Sequence, residues 1–350
     1  MNRRERGRRG SLANAALAAV FISALTVGSG CVRTPEAPSH PRLQTPIHRL
    51  SADGVTLQVS TQAQLLQRAL AADVVYLGEK HDNMAQHRLQ SWLLRSLVDA
   101  GARPALGLEA AAVEQTALLM EFTQANPQHA HSQMLETRLR MGLGWGAEQD
   151  ERWRLYGQLL RTARAHQLET FGIDLPMALR RRLVKVGRAE LSALETRGLA
   201  SVAPAADTYR LQMLERLKAA HCGHGGAAYL QRLFETWELR NETMARAILT
   251  MLAADRVGPV VIVVGAGHVG DERALVRRVK NARPDVNQLA LGFVEVGQGE
   301  GRVAEQMSDS GMAYDFIWFT PKMGVSMHEA CEQFARAMAK VGREDSGNMD

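Results

Sequence analysis

Residues 73–83 read Asp-Val-Val-Tyr-Leu-Gly-Glu-Lys-His-Asp-Asn, a short apolar run that breaks at Gly78 into five polar residues. Asp73 to Leu77 has the length and β-branched content of a strand. Asn83 with Gln86 has the spacing of a capping box, which starts a helix just after His81. Strand, tight turn and helix in that order open an α/β unit. The same punctuation recurs along the chain. After an edge segment around Val55 to Val59, the apolar runs Pro104 to Leu108, Leu168 to Ile173, Val260 to Val264, Gln288 to Val294 and Phe316 to Phe319 alternate with helical patterns. Runs of this kind predict an α/β fold with a mainly parallel sheet flanked by helices.

Each of the first five runs leads straight into a polar residue: Glu79 with His81, then Glu109, Asp174, His268 and Glu295. Open α/β sheets bind ligands outside the carboxyl ends of their strands, so these five positions are expected to meet in one crevice. Between Ala110 and Leu252 only one strand is legible. A helical cap over about residues 111–252, inserted over the carboxyl edge of the strands, is the expected arrangement. Within it Leu230, Leu233, Phe234, Trp237, Asn241, Met244, Ala245 and Ile248 keep three-and-four spacing, the mark of a long amphipathic helix. Trp145, Trp153 and Tyr156 belong to another, near Glu148 to His166. Such stripes are expected to be core, with the cover of a large flat ligand as the other use.

The chain has 350 residues, 46% apolar and 23% charged, which excludes disorder and fibrous repeats. Its net charge is +5, but Arg3, Arg4, Arg6, Arg8 and Arg9 against Glu5 hold +4 of it, leaving +1 for the rest. A near-neutral body with no basic patch beyond Arg180-Arg181-Arg182 and Arg277-Arg278 excludes a nucleic-acid partner.

Those arginines precede the uncharged stretch Leu12 to Val27 and the sequence Gly28-Ser29-Gly30-Cys31. This is the layout of a signal peptide over 1–30, and the small residues before Cys31 are similar to a bacterial lipobox, which makes Cys31 the lipidated residue. Gly28 stands where leucine is usual, so ordinary cleavage and retention as an anchor stay open. Residues 31–47, with Pro35, Pro38, Pro41 and Pro46, read as an extended linker, and 48–350 as one domain. The expectation is an exported protein tethered to the outer membrane by lipid, on its periplasmic or surface side. Cys222 and Cys331 remain, either paired or as separate buried thiols.

The partial positive charge at a helix start disfavours imidazolium, so His81 and His87 are expected to be neutral, the form that binds metal or acts as base. Glu109 is suited to orient an imidazole, hold a cation or serve as base. Gly265-Ala266-Gly267-His268-Val269-Gly270 satisfies GxGxxG, but too few βαβ units follow it and Asp285 falls in a loop after Pro284. Its glycines instead place His268 at the sheet edge. His221-Cys222-Gly223-His224 joins two imidazoles and a thiol without the spacing of a structural zinc site. His129 and His131 read as a polar turn.

Taken in order, Asp73 to Asn83 with His87 and Gln90, Gly107-Leu108-Glu109, Trp153-x-x-Tyr156, Phe234 to Glu238 leading to Thr243-Met244-Ala245, Val260 to His268, and Ala313 to Trp318 resemble the ChaN family of haem-binding, iron-regulated bacterial lipoproteins. The likeness spans about Leu50 to Pro321. It implies haem or iron as cofactor, a homodimer sharing haem, an outer-membrane haem receptor as partner, and His81, His87, Glu79, Glu109 and His268 as the residues around the cofactor. Tyrosine and histidine ligation is also implied, with the tyrosine unassigned among Tyr156, Tyr209, Tyr229 and Tyr314. The function implied is haem or iron acquisition in the envelope. The alternative is a metal-dependent hydrolase in which His81, Glu109 and His268 hold a divalent metal and Glu79 completes the catalytic set, or in which His81 is a general base oriented by Glu109.

Overall fold

An apolar run with no polar alternation belongs between two layers, and β3 (Val74–Glu79) is buried along its whole length. The computed structural model describes residues 46–51, 56–126, 132–146, 149–254, 256–270, 274–297 and 314–324, with residues 44, 329, 331–333 and 336. The signal peptide, Cys31, most of the linker, and the His129 and His131 turn lie outside the described residues.

The other strands are β1 (Ile47–Leu50), β2 (Leu57–Val59), β4 (Ala105–Ala112), β5 (Thr170–Asp174), β6 (Val260–Gly265), β7 (Gln288–Val296) and β8 (Phe316–Pro321). They form one sheet in the order β2-β1-β8-β7-β3-β6-β4-β5. From β8 to β5 all neighbours are parallel; β1 and β2 close the edge antiparallel. β1 begins at Ile47, inside the stretch expected to be linker. Four residues beside a proline-rich segment carry no periodicity by which to find it.

The helices, in chain order, are α1 (Gln62–Leu70), α2 (Met84–Asp99), α3 (Thr116–Gln124), α4 (Ser132–Gly142), α5 (Glu151–Ala165), α6 (Met177–Val186), α7 (Ala193–Thr196), α8 (Asp207–Ala220), α9 (Ala227–Leu252) and α10 (Leu275–Ala282). Side chains alternate across each strand. On one face Val75, Leu77, Leu106, Leu108, Val261 and Val263 pack with leucines of α2 and with Trp145, Trp153 and Tyr156, which are core as expected. On the other, Val74, Tyr76, Ile262 and Val264 pack with Met244, Ala245 and Ile248 of α9 and with α10. The cap is therefore narrower than the 111–252 expected: residues of α3 to α5 belong to a sheet face, and only α6 to α8 with the first half of α9 stand apart. These hold small clusters of their own, Leu175, Leu183 and Leu239 in one and Tyr209, Met213 and Phe234 in the other.

Two local features aim the site. Between Leu108 and Ala112 the pairing of β4 with β5 shifts register, a bulge that re-aims Glu109. Gly172 makes that approach feasible, since a Cβ there would lie 2.0 Å from the Ala112 carbonyl oxygen. A disulfide joins Cys222, after α8, to Cys331, 109 residues away.

Candidate functional site

β3 ends on Glu79, and its turn passes through His81 to Asn83, whose Oδ1 accepts from the Ala85 and Gln86 amides at the start of α2. The capping box is one-sided. Gln86 accepts from the Lys80 amide at 2.7 Å and donates to Thr320, rather than returning to Asn83. The turn is thereby fixed to β8.

Glu79 is buried and fully engaged. Its Oε1 accepts from the Tyr156 hydroxyl at 2.5 Å and from His81 Nδ1 at 3.0 Å, and its Oε2 accepts from Gln90 and lies 3.5 Å from His87 Nδ1. Burial opposes its ionisation, but the His81 hydrogen bond, the nearby imidazoles and the Tyr156 hydroxyl outweigh this and hold the carboxyl below its usual range. His87 sits beneath, 1% exposed, with Nε2 donating to the His81 carbonyl at 2.9 Å. The His81 side chain is 57% exposed. Burial would lower its pKa, yet the hydrogen bond to Glu79 and the charges of Glu109 and Glu79 raise it to about 9. His81 is thus an imidazolium at neutral pH, not the neutral ring expected from the helix start.

Glu109 accepts from Arg240 Nη2 at 2.5 Å through Oε1 and from the Gly265 amide at 2.6 Å through Oε2. Gly265 allows this closeness: a Cβ there would meet His81 Nε2 at 2.9 Å. Burial again opposes ionisation, and the charges of Arg240 and His81 with the Gly265 amide reverse it, holding Glu109 well below the carboxylate range. Asp174 takes Arg240 Nε at 3.0 Å and Nη2 at 2.8 Å, and Arg180 at 2.7 Å. Arg240, on the inner face of α9, therefore ties the ends of β4 and β5 together.

His268 ends a single helical turn, Ala266–His268, after β6. Its Nδ1 lies 3.0 Å from Asn241 Oδ1, and the Asn241 amide donates to the Trp237 carbonyl, which orients it. Nδ1 therefore carries the hydrogen, and the Nε2 lone pair faces Glu109 Oε1 at 3.6 Å. Burial lowers the His268 pKa to about 4, so the ring is neutral. Trp237 stacks on it.

Four of the five strand ends thus meet. Glu295 does not join them: its partners are Asn83, Lys80 and the Met323 amide. The divalent-metal set of His81, Glu109 and His268 is not supported. Both Glu109 oxygens are engaged, its counter-charge is a guanidinium, and among the described residues no group of three or more His, Cys, Asp or Glu is arranged to hold a metal ion.

Beyond Arg240 lies a cavity of about 590 Å³ between α6, the end of α8 and α9. Met177, Val184, Leu217, Leu233 and Trp237 give it apolar walls, and Arg181, Lys185 and Arg232 give it charge. Among the described residues Arg181 and Lys185 form no ion pair, while Arg232 Nε donates to the Val184 carbonyl. At the far end His221 Nδ1 donates to the Leu217 carbonyl at 2.7 Å, which leaves Nε2 as the accepting nitrogen, and its ring stands edge-on to Tyr229 at 6.1 Å. Tyr76, Tyr156, Tyr209 and Tyr314 are buried; Tyr229 is the tyrosine that reaches the cavity. Tyr229 is one of the four tyrosines the sequence left unassigned; Arg240 escaped the sequence reading, though it stands three residues after Trp237 and four before Met244, a charge on an apolar stripe.

Two measurements check this geometry. The His81 ring, followed by NMR, should titrate near pH 9, and Glu79→Gln should move the midpoint down. Because the folded pKa is raised, the stabilisation from this contact is full below about pH 6.5 and lost as pH rises through about 9. Arg240→Ala leaves two buried carboxylates facing each other and should reduce unfolding free energy by about 3–5 kcal/mol in urea titrations.

Among solved structures the chain is similar to the ChaN protein of Campylobacter jejuni described with cofacial haem binding, at 15% identity over 78% of this chain and 96% of that one, with a TM-score of 0.57. At that identity the likeness shows a shared fold. An erythromycin esterase, EreC, in its open conformation matches at 16% identity over 80% and 84%, TM-score 0.42, and a Bacillus cereus protein at 11% over 74% and 90%, TM-score 0.42. No curated protein matches. Residues 65–279 match the family described as haem-binding uptake, Tiki superfamily, ChaN, and the chain belongs to that family.

Proposed function

We propose that this protein is a haem-binding envelope lipoprotein of haem or iron acquisition, and that haem enters the cap cavity rather than the strand-end cluster. One observation carries the choice of site: of the five tyrosines only Tyr229 is accessible, and it shares a largely apolar cavity with an accepting His221 Nε2 and two cations that form no ion pair among the described residues. A volume near 590 Å³ lies within the range of about 300–1,000 Å³ of small-molecule sites. Bound haem supplies an iron with axial positions to fill and two carboxylates to neutralise. Tyr229 and His221 are suited to the first, Arg181, Lys185 and Arg232 to the second. The residues expected at the cofactor from sequence suit it less. Glu79, His87, Glu109 and His268 are buried and hydrogen-bonded, and His81 is held as an imidazolium, which has no lone pair to give.

The Cys222–Cys331 disulfide supports an oxidising compartment, in keeping with export through residues 1–30 and lipidation at Cys31. Attachment to the outer membrane, a haem receptor as partner and a dimer sharing haem belong to the same proposal. Titration of the protein with haem should give a saturable, red-shifted Soret band, and Tyr229→Phe with His221→Ala should shift that band and weaken affinity by tenfold or more. Spectra unchanged in the double variant would move haem away from this cavity.

A second reading is favoured by the opposed shifts of two histidines in the strand-end cluster. His81, near 9, is an acid, and His268, near 4, a base, on either side of Glu109. Groups pushed apart in this way suit acid–base hydrolysis of an ester or peptide. If so, turnover of a simple ester should be level between about pH 4 and 9, fall off on either side, and disappear in His268→Gln. Equal turnover in the variant removes this reading.

A further inference from the structure

The turn that follows α8 is built on a residue ill-suited to it. Its amides close the helix in the paired pattern of a Schellman motif: Gly223 donates to the Lys218 carbonyl and Cys222 to that of Ala219. The first residue past the cap in this motif is left-handed and is usually glycine. Here it is Cys222, at φ +56°, followed by Gly223 at φ +76°. A side chain is disfavoured in that conformation, and it persists only where the surroundings impose it. The surroundings here are the covalent bond to Cys331. The residue just before Cys222 is His221, whose ring lines the cavity opposite Tyr229.

We propose that the Cys222–Cys331 disulfide positions His221 in the cap cavity, so that haem affinity depends on the pair being oxidised. The inference rests on reading that cavity as the haem site. The bond ties the turn to a segment 109 residues further along the chain, and this tether holds the left-handed conformation against relaxation. Both cysteines are partly exposed and open to a dithiol. In reduction the dithiol gives two electrons and two protons, becomes a cyclic disulfide, and leaves two thiols. Cys222 is then free to leave the left-handed region, and His221 moves with it. If the competent turn falls to about a tenth of the population, the apparent Kd rises about tenfold.

The test compares haem titrations of the oxidised protein with those of protein reduced by dithiothreitol and freed of it by anaerobic gel filtration. Reduction is expected to weaken binding about tenfold and shift the Soret band, while amide exchange at residues 221–224 of the haem-free protein speeds up. In His221→Ala the same reduction should have no further effect. The pair Cys222→Gly with Cys331→Ser, in which glycine adopts the turn unaided, should bind like the oxidised protein and ignore dithiothreitol. Equal affinity before and after reduction, with only a lower Tm, would make the bond a plain staple and overturn the proposal. So would an equal loss in His221→Ala. Absence of a saturable band in the oxidised protein defeats the haem reading itself, a result distinct from both.

Discussion

The arrangement depends on one buried guanidinium. Glu109 and Asp174 leave adjacent parallel strands at the same edge, and the bulge in β4 turns Glu109 inward, where neither carboxylate has water to solvate it. Ionised and unpaired, each would bear a desolvation penalty of several kcal/mol. Arg240 answers both with four hydrogen bonds, two of them shared through one nitrogen. It can do so only if α9 crosses the sheet edge with that residue facing down. The helix that carries Arg240 also carries Trp237, Asn241 and Tyr229, so the ion pair fixes the His268 tautomer and the wall of the cavity along with it.

The same cluster decides the protonation of His81. A helix start disfavours a nearby cation by about 0.3–1 kcal/mol and fades within a turn. A carboxylate about 4 Å away contributes about 4 kcal/mol at the effective dielectric of a protein surface, and His81 has two, Glu79 at 3.0 Å and Glu109 at 3.9 Å. The carboxylates win.

That comparison also shows where sequence reading reached its limit. The parallel strands were legible because burial on both faces removes polar alternation, and the residues after them because a polar side chain at the end of such a run has few structural reasons to be there. Family membership followed from the same motifs in order. What stayed hidden was pairing across distance. Arg240 in α9 looks like a solvated charge until β4 and β5 are placed under it. His81 looks neutral until Glu109, brought in by a bulge that no local pattern announces, is set beside it. The register of β1 rests on β8, some 270 residues away, and four residues cannot advertise that.

The division of the fold into a deep core and a thin cap bears on ligand entry. Each sheet face is buried under long helices, whereas the free-standing part of the cap holds two clusters of three buried residues each among the described residues. Segments with so little buried apolar surface open at far lower free energy than a central sheet. The cavity beside this part of the cap is already open to solvent, so what so thin a layer permits is adjustment of the walls around a ligand rather than a gate. α9 is the fixed wall, anchored by Arg240 and by Met244, Ala245 and Ile248 in the core beneath. The motion therefore falls to α6 and α8, and at the end of α8 the disulfide sets how far it can go.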